Sequence, residues 1–241
     1  MEKIIKSIKE LPLTDKVASG SCSTVYRYSE NKYLKLLNSD YRDLNEKENM
    51  EVLETLQALQ KVKNTPSIAV PQEIFASANE LYGYTSFIMP GKSLEDIDEG
   101  TDIEVLKDSI SGIKPEIRTL SKHHIKTEDI GGDNILFSDK LSLIDLELSL
   151  IDTTIPEEQL YIKAMTSILT AALITSFGEN ITGKIPSLAM YRLHKALKTG
   201  TSDDFAAYFA LAIYEIEHMS HQKIKTVKDS REAYQKVKIA L

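Results

Sequence analysis

The segment from Thr127 to Leu150 constrains this chain more than any other. It reads Thr127-Glu128-Asp129-Ile130-Gly131-Gly132-Asp133-Asn134-Ile135-Leu136-Phe137, then Leu143-Ile144-Asp145-Leu146-Glu147. Gly131-Gly132-Asp133-Asn134 is turn chemistry, and the two apolar runs read as short adjacent strands. Two such strands set Asp129, Asn134 and Asp145 along one edge. Asn134 and Asp145 are oxygen donors of the kind a hard divalent cation takes, and Asp129 adds a carboxylate to the same edge. A hairpin without chemistry is the plain alternative, and two upstream features weigh against it.

The first is Ala18-Ser19-Gly20-Ser21-Cys22-Ser23-Thr24-Val25, a run of small residues between two predicted strands. Such loops let backbone amides approach phosphates. The second is Lys35, set in the otherwise apolar Tyr33-Leu34-Lys35-Leu36-Leu37. A buried ammonium without a carboxylate partner costs several kcal/mol. The acidic segment that follows, Asp43 to Lys61, has Leu44, Met50, Leu53, Leu56 and Leu59 near helical spacing and offers Glu46, Glu48 and Glu51.

Small-residue hairpin, strand Lys, acidic helix, Pro90-Gly91, Asp-x4-Asn and strand-Asp occur in one order. In that order, from about Val17 to Thr175, the chain resembles the protein-kinase-like superfamily. The resemblance implies an α+β, two-lobed protein-kinase-like fold. Residues 1–90 would form an N-lobe of small antiparallel sheet and one helix. Residues 91–241 would form a mainly helical C-lobe with the catalytic loop. It implies ATP and Mg2+ between the lobes. Gly20, Ser21, Cys22, Ser23 and Val25 would cover the phosphates, and Lys35 would pair with them. Glu48 would hold Lys35, with Glu46 and Glu51 as rivals. Met89 would guard the adenine pocket, with Pro90 and Gly91 opening the connector between lobes. Asp129 would be the catalytic carboxylate, and Asn134 and Asp145 the metal ligands.

The departures from the pattern are equally specific. Thr127-Glu128 replaces His-Arg before Asp129, and Glu128 would repel a phosphate on the following segment. Activation by phosphorylation there is not expected. Only eleven residues separate Asp145 from the Pro156-Glu157 helix start. Asp145-Leu146-Glu147 lacks a glycine and is similar to small-molecule kinases of the aminoglycoside and choline type. Gly131 supplies no charge toward a transferring phosphate, and Lys126, Arg27 and Lys140 are the unplaced cations. Asp133 is expected only to shape its loop. His123 and His124 read as a helix C-cap, and Cys22 as a small filler. The acidic run Glu95 to Asp102 reads as a solvated face, with a site for a cationic substrate as the sharper option.

Further helices are expected over Asp102–His124, Glu157–Phe177, Ser187–Lys198, Ser202–Met219 and Thr226–Ala240, with Ser202-Asp203-Asp204 as a cap. Strands are expected at Thr24–Tyr28, Tyr33–Leu37, Ile74–Ser77 and Leu81–Met89, and a short amphipathic helix at Met1–Leu11. Ala164–Phe177, the most apolar stretch, falls short of the roughly 20 residues a spanning helix needs. With 29 basic and 36 acidic residues the charge is −7, so no global basic field draws nucleic acid. One cysteine forms no internal disulfide, which suits a reducing, cytoplasmic setting. The expected partners are ATP and a protein with a Ser/Thr hydroxyl, or a small hydroxylated molecule, with no nucleic acid and no membrane. An active Ser/Thr kinase, a small-molecule kinase and a nucleotide-binding pseudokinase are the readings to separate.

Overall fold

Alternation along one strand organises the N-terminal half. In Lys32–Leu37 the side chains of Leu34 and Leu36 enter one apolar layer with Leu11, Phe75 and Tyr82, while Leu37 enters another with Leu56, Ile74, Leu81 and Tyr84. Successive strand residues face opposite sides, so Lys35 shares the second face, the one covered by a helix. The structure is a computed structural model that describes residues 2–4, 9, 11, 13, 15–20, 22–38, 46–77, 80–179, 188–199 and 204–240.

The elements run β1 (Glu2–Ile4), β2 (Lys16–Ser19), β3 (Ser23–Ser29), β4 (Lys32–Leu37), α1 (Glu46–Lys61), β5 (Pro71–Ala76) and β6 (Leu81–Phe87). Next come β7 (Lys92–Ser93), α2 (Ile103–Lys122), β8 (Ile125–Lys126), β9 (Ile135–Phe137) and β10 (Leu141–Leu143). A 3-10 turn at Leu146–Leu148, β11 (Leu150–Ile151), α3 (Glu157–Phe177), α4 (Leu188–Thr199), α5 (Phe205–Ser220) and α6 (Val227–Ala240) complete the chain. The first six strands make one sheet in the order β1-β5-β6-β4-β3-β2, antiparallel except for the β1–β5 pair. This is the two-layered, α+β arrangement expected, a sheet with one helix followed by a mainly helical region.

Differences from expectation are local. Glu2–Ile4 forms an edge strand on β5, where the expected helix would have left that edge's backbone groups unpaired. The remainder of that expected helix lies mostly outside the described residues, as do Ser202, Asp203, Asn79 and the start of the Asp43–Lys61 helix. β5 begins at Pro71 rather than Ile74. β6 ends at Phe87, two residues before Met89. β8 is the strand expected between Leu120 and Asp129, and Lys16–Ser19 the one before the small-residue run; the two-residue strands β7 and β11 are additional, because runs so short carry no period.

A β-bulge at Tyr82 sets which residues of β6 face inward. Ala76 pairs with Leu81 and Phe75 with Gly83, which leaves Tyr82 unpaired between them. The extra residue flips the register, so Tyr84 joins Leu81 on the inner face while Tyr82 enters the outer layer. Gly83 follows at a point where a Cβ would lie 2.1 Å from the Lys35 carbonyl oxygen. Only glycine lets β6 pass β4 that closely.

The helical half packs around α2 and α3. Asp102 caps α2 by accepting from the amides of Glu104 (2.7 Å) and Val105 (3.4 Å). α3 is long and apolar enough to cross a membrane by length and composition, but 72% of its apolar window is buried against the rest of the chain. Phe205, Phe209, Ile213 and Ile216 of α5 are buried in the same core. Asp204 caps α5 and takes the Lys114 ammonium at 3.1 Å, which ties that helix to α2.

The two halves are joined by backbone. Ala69 N–H donates to the Leu143 carbonyl and Leu143 N–H to that of Ser67, both at 2.8 Å. The buried Glu116 of α2 accepts from the Ser67 amide at 2.8 Å. Replacing Glu116 with Ala strands that amide, at an expected cost of about 1–3 kcal/mol. Glu116→Gln keeps an acceptor and should lose far less. Urea midpoints of the two variants check this, and equal losses would contradict it.

Candidate active site

Lys35 lies in the middle of β4, between Val25 of β3 and Tyr84 of β6 in one cross-strand row. Directly opposed residues share a face, so all three side chains look toward the helical half. Lys35 is 7% exposed. Its ammonium is held by Glu147 in a short ion pair and by Asp145 at 2.9 Å. Glu147 is buried and accepts a second hydrogen bond from the Tyr84 hydroxyl at 2.8 Å. Glu51, one of the three acids expected from α1, is exposed, and the side chains of Glu46 and Glu48 lie outside the described residues. Among the described residues Lys35 is met by carboxylates from 145 and 147.

The backbone explains how two residues reach one ammonium. Asp145 is left-handed, with φ +58°, and the chain then tightens into the 3-10 turn at Leu146–Leu148. That reversal brings the carboxylates at 145 and 147 to the same side. Leu146 is buried between them.

Asp129 and Asn134 form the other half of the site. Asp129 is exposed, also left-handed with φ +54°, and its carbonyl accepts the Gly131 amide at 3.0 Å. Asn134 Nδ2 donates to the Asp129 carbonyl (2.9 Å) and lies 3.3 Å from its Oδ2. The amide nitrogen is thus turned to Asp129, and Oδ1 turns away. Ile144 N–H donates to the Asn134 carbonyl at 3.0 Å, which sets Asp145 beside Asn134 across β9 and β10. Asp133, expected only to shape the loop, fills the space over Gly131: a Cβ there would lie 2.6 Å from Asp133 Oδ1. A larger residue at 131 would displace that carboxylate.

The small-residue hairpin is tied to the end of β4. Gly20 N–H donates to the Ser23 carbonyl (2.8 Å), Asn38 Nδ2 to the Gly20 carbonyl (3.1 Å) and Asn38 N–H to that of Cys22 (2.9 Å). Ser23 is buried and Cys22 half-buried, while a Cβ at Gly20 would meet nothing closer than 3.9 Å. Ser21 lies outside the described residues. Met89 sits in the connector past β6. It lines a cavity of about 780 Å³ with Asn31, Val70, Pro71 and Phe87, a cavity whose walls include none of Lys35, Asp129, Asn134 or Asp145. Gly91 has φ +114°, and a Cβ there would lie 2.4 Å from the Phe137 carbonyl oxygen. The connector's close passage over β9 accounts for that glycine.

The unplaced cations are engaged locally. Lys126 pairs with Glu128, Arg27 donates to the Glu30 carbonyl at 3.1 Å and lies over Tyr33, and Lys140 is exposed at the β9–β10 turn. The segment after Asp145 is pinned by β11 on β8. His123 is the C-cap of α2, as expected. In the acidic run, Asp98 holds Lys92 at 2.7 Å, Asp96 bonds Ser93 at 3.0 Å and Glu99 faces Arg231 at 3.5 Å. Glu95 packs on Gly132.

The electrostatics follow from one ammonium among two carboxylates. Burial opposes the charge on Lys35, but Glu147 and Asp145 outweigh it and hold its pKa above the ordinary value. Its stabilising contribution is complete below the unfolded value of about 10.4 and is lost only as pH rises past the raised one. Burial lifts the Asp145 pKa; Lys35 opposes this, while Glu147 and Asp133 add to it. Burial and the Glu147 charge push the Tyr84 phenol well up, so it stays a donor.

These donor types fit a nucleotide with a divalent cation. Asp145 is 42% exposed at the side chain and has one oxygen engaged, and Asn134, whose Nδ2 is taken by Asp129, keeps its amide oxygen as a further donor atom. Among the described residues no three His, Cys, Asp or Glu side chains group as a metal cluster, so the candidate ligands here are one carboxylate and one amide.

The sign of the Asp145 shift gives a test. A carboxyl held above its ordinary pKa is stabilising when protonated, below about 3.9, and that contribution is lost as pH rises through the folded value. Asp145→Asn removes an ionisation that the fold resists and leaves Lys35 with Glu147. We expect its Tm at pH 7 to exceed the parent's, with the gain shrinking toward pH 4. A lower Tm at pH 7 would contradict the assignment.

No protein-family model and no curated protein matches the sequence. Among solved structures the chain is similar to a fragment of twitchin kinase from C. elegans, described as an autoregulated protein kinase with immunoglobulin domains. The TM-score is 0.59 at 16% identity, over 87% of this chain and 52% of that one. The chain thus spans about half the length of that structure. The likeness establishes a two-lobed, kinase-like α+β fold.

Proposed function

We propose that the chain is an ATP- and Mg2+-dependent phosphotransferase, built as a minimal Ser/Thr protein kinase, with residues 1–90 and 91–241 as its two lobes. The observation that carries this reading is the meeting of Lys35 from the sheet with Asp145 from the helical half, beside the Asp129–Asn134 pair. The kinase-like fold agrees with it.

In this reading Asn134 Oδ1 and Asp145 would hold the magnesium, which when bound draws negative charge off the phosphate oxygens. Lys35 places its ammonium against the nucleotide phosphates. The hairpin from Gly20 to Val25 covers them, and Met89 with Gly91 lies along the nucleotide's base. Asp129 accepts a hydrogen bond from the acceptor hydroxyl and orients it in line. Asn134 Nδ2 steadies that carboxylate. Catalysis is then mainly positioning and electrostatics. The reading places the enzyme in a reducing compartment, acting on a Ser or Thr of a protein.

A second acceptor class has its own support. The short segment between Asp145 and Glu157 is paired to β8, and Asp145-Leu146-Glu147 is similar to small-molecule kinases. A hydroxylated small molecule is the alternative acceptor, and a nucleotide-binding pseudokinase is the reading that lacks catalysis.

ADP release with generic acceptor proteins, and with amine and sugar alcohols, separates the three. Transfer to a protein supports the first reading, and transfer only to a small alcohol supports the second. Asp129→Asn should lower turnover by about 10²–10⁴-fold while nucleotide still binds. Tight Mg-ATP binding with no transfer to any acceptor would overturn the enzymatic reading.

A further inference from the structure

We infer that Glu147 is the positioning residue for Lys35, so that the ammonium is set by the turn at 145–148 that would also hold the metal. The inference rests on the phosphotransferase reading above and deepens it. Its basis is an asymmetry between the two carboxylates on Lys35.

Glu147 is 4% exposed at its side chain, and both of its oxygens are committed. Oε1 takes Lys35 and Oε2 takes the Tyr84 hydroxyl at 2.8 Å. Lys35 and Tyr84 are cross-strand neighbours on β4 and β6. The sheet therefore grips this carboxylate with a cation and a phenol from adjacent strands. A carboxylate so enclosed is turned to the sheet and shut off from solvent, where a cation would arrive. Asp145 differs: it is 42% exposed, and Lys35 touches only Oδ1, at 2.9 Å. An ammonium has three donors. One is fixed on Glu147, one is on Asp145, and the third has no partner among the described residues.

The two acids thus divide the work. Asp145 would be the acid that holds the cation and Lys35 would offer its remaining donor to a phosphate, while Glu147 keeps the ammonium in place. Without Glu147, the charge that holds Lys35 among the described residues is Asp145, and the ammonium would block the metal ligand.

The test is a double-mutant cycle on the full chain, read by calorimetric affinity for Mg-ADP and by thermal unfolding of the ligand-free protein. Glu147→Gln should lower affinity about tenfold or more, as a misplaced charge does in other pre-organised sites. Lys35→Met should do the same, and the double variant should fall no further than Lys35→Met alone. In kinetics, Glu147→Gln should lower kcat and leave the acceptor KM unchanged, which a merely structural role would not produce. Wild-type affinity in Glu147→Gln, or losses that add in the double variant, would overturn the inference. Should Glu147→Gln fail to fold, Tyr84→Phe replaces it. An affinity loss that vanishes in the Lys35→Met background supports the inference, and an unchanged affinity overturns it. Absence of Mg-nucleotide binding by the parent chain overturns the phosphotransferase reading, and the role of Glu147 with it. In that case, coupling between Lys35 and Glu147 in ligand-free unfolding would still show that the ion pair is structural.

Discussion

The buried ion pair between Lys35 and Glu147 is the constraint to which the rest of the structure answers. Neither charge is tolerable alone at that depth, since an unpaired buried ion costs several kcal/mol. The ammonium comes from the sheet and the carboxylate from the helical half. Each half is therefore incomplete until the other is docked. Specificity of assembly and placement of the reactive groups are consequently one problem, solved by one contact.

Getting both groups to the same point requires departures from regular geometry. The bulge at Tyr82 turns Tyr84 inward, and Gly83 lets the neighbouring strand close up. Left-handed residues at 129 and 145 aim the two acids that face solvent. Asp and Asn accept that conformation more readily than most residues because their short side chains bond locally. Strain of this kind is expected where a fold holds side chains for chemistry rather than for packing.

Much of this is legible in the sequence, for identifiable reasons. Glu157–Phe177 coincides with its helix because apolar density and flanking Pro156 and Gly178 mark both ends. Asp129, Asn134 and Asp145 are legible as neighbours because a hairpin is local and its turn residues are explicit. The partner of Lys35 is not, because 112 residues separate it from Glu147 and nothing periodic links them. Asp133 over Gly131 is hidden too: a contact through missing side-chain volume has no pattern to read. The bulge at Tyr82 is invisible for a related reason, since Leu81-Tyr82-Gly83-Tyr84 reads as plain alternation. The missing glycine after Asp145 is the one clue that the turn there is unusual, and its meaning depends on where Lys35 ends up.

The seam at residues 67–69 and 143 has a mechanical consequence. It attaches the sheet to the helical half at the very hairpin that carries Asn134 and Asp145. Rocking of one half on the other must then pivot there, and the lever arm is the width of the sheet. From β5, next to the seam, to β2 there are four steps across β6, β4 and β3. At about 4.8 Å each, that is roughly 19 Å. A small rotation at Asn134 and Asp145 therefore becomes a much larger displacement at Gly20.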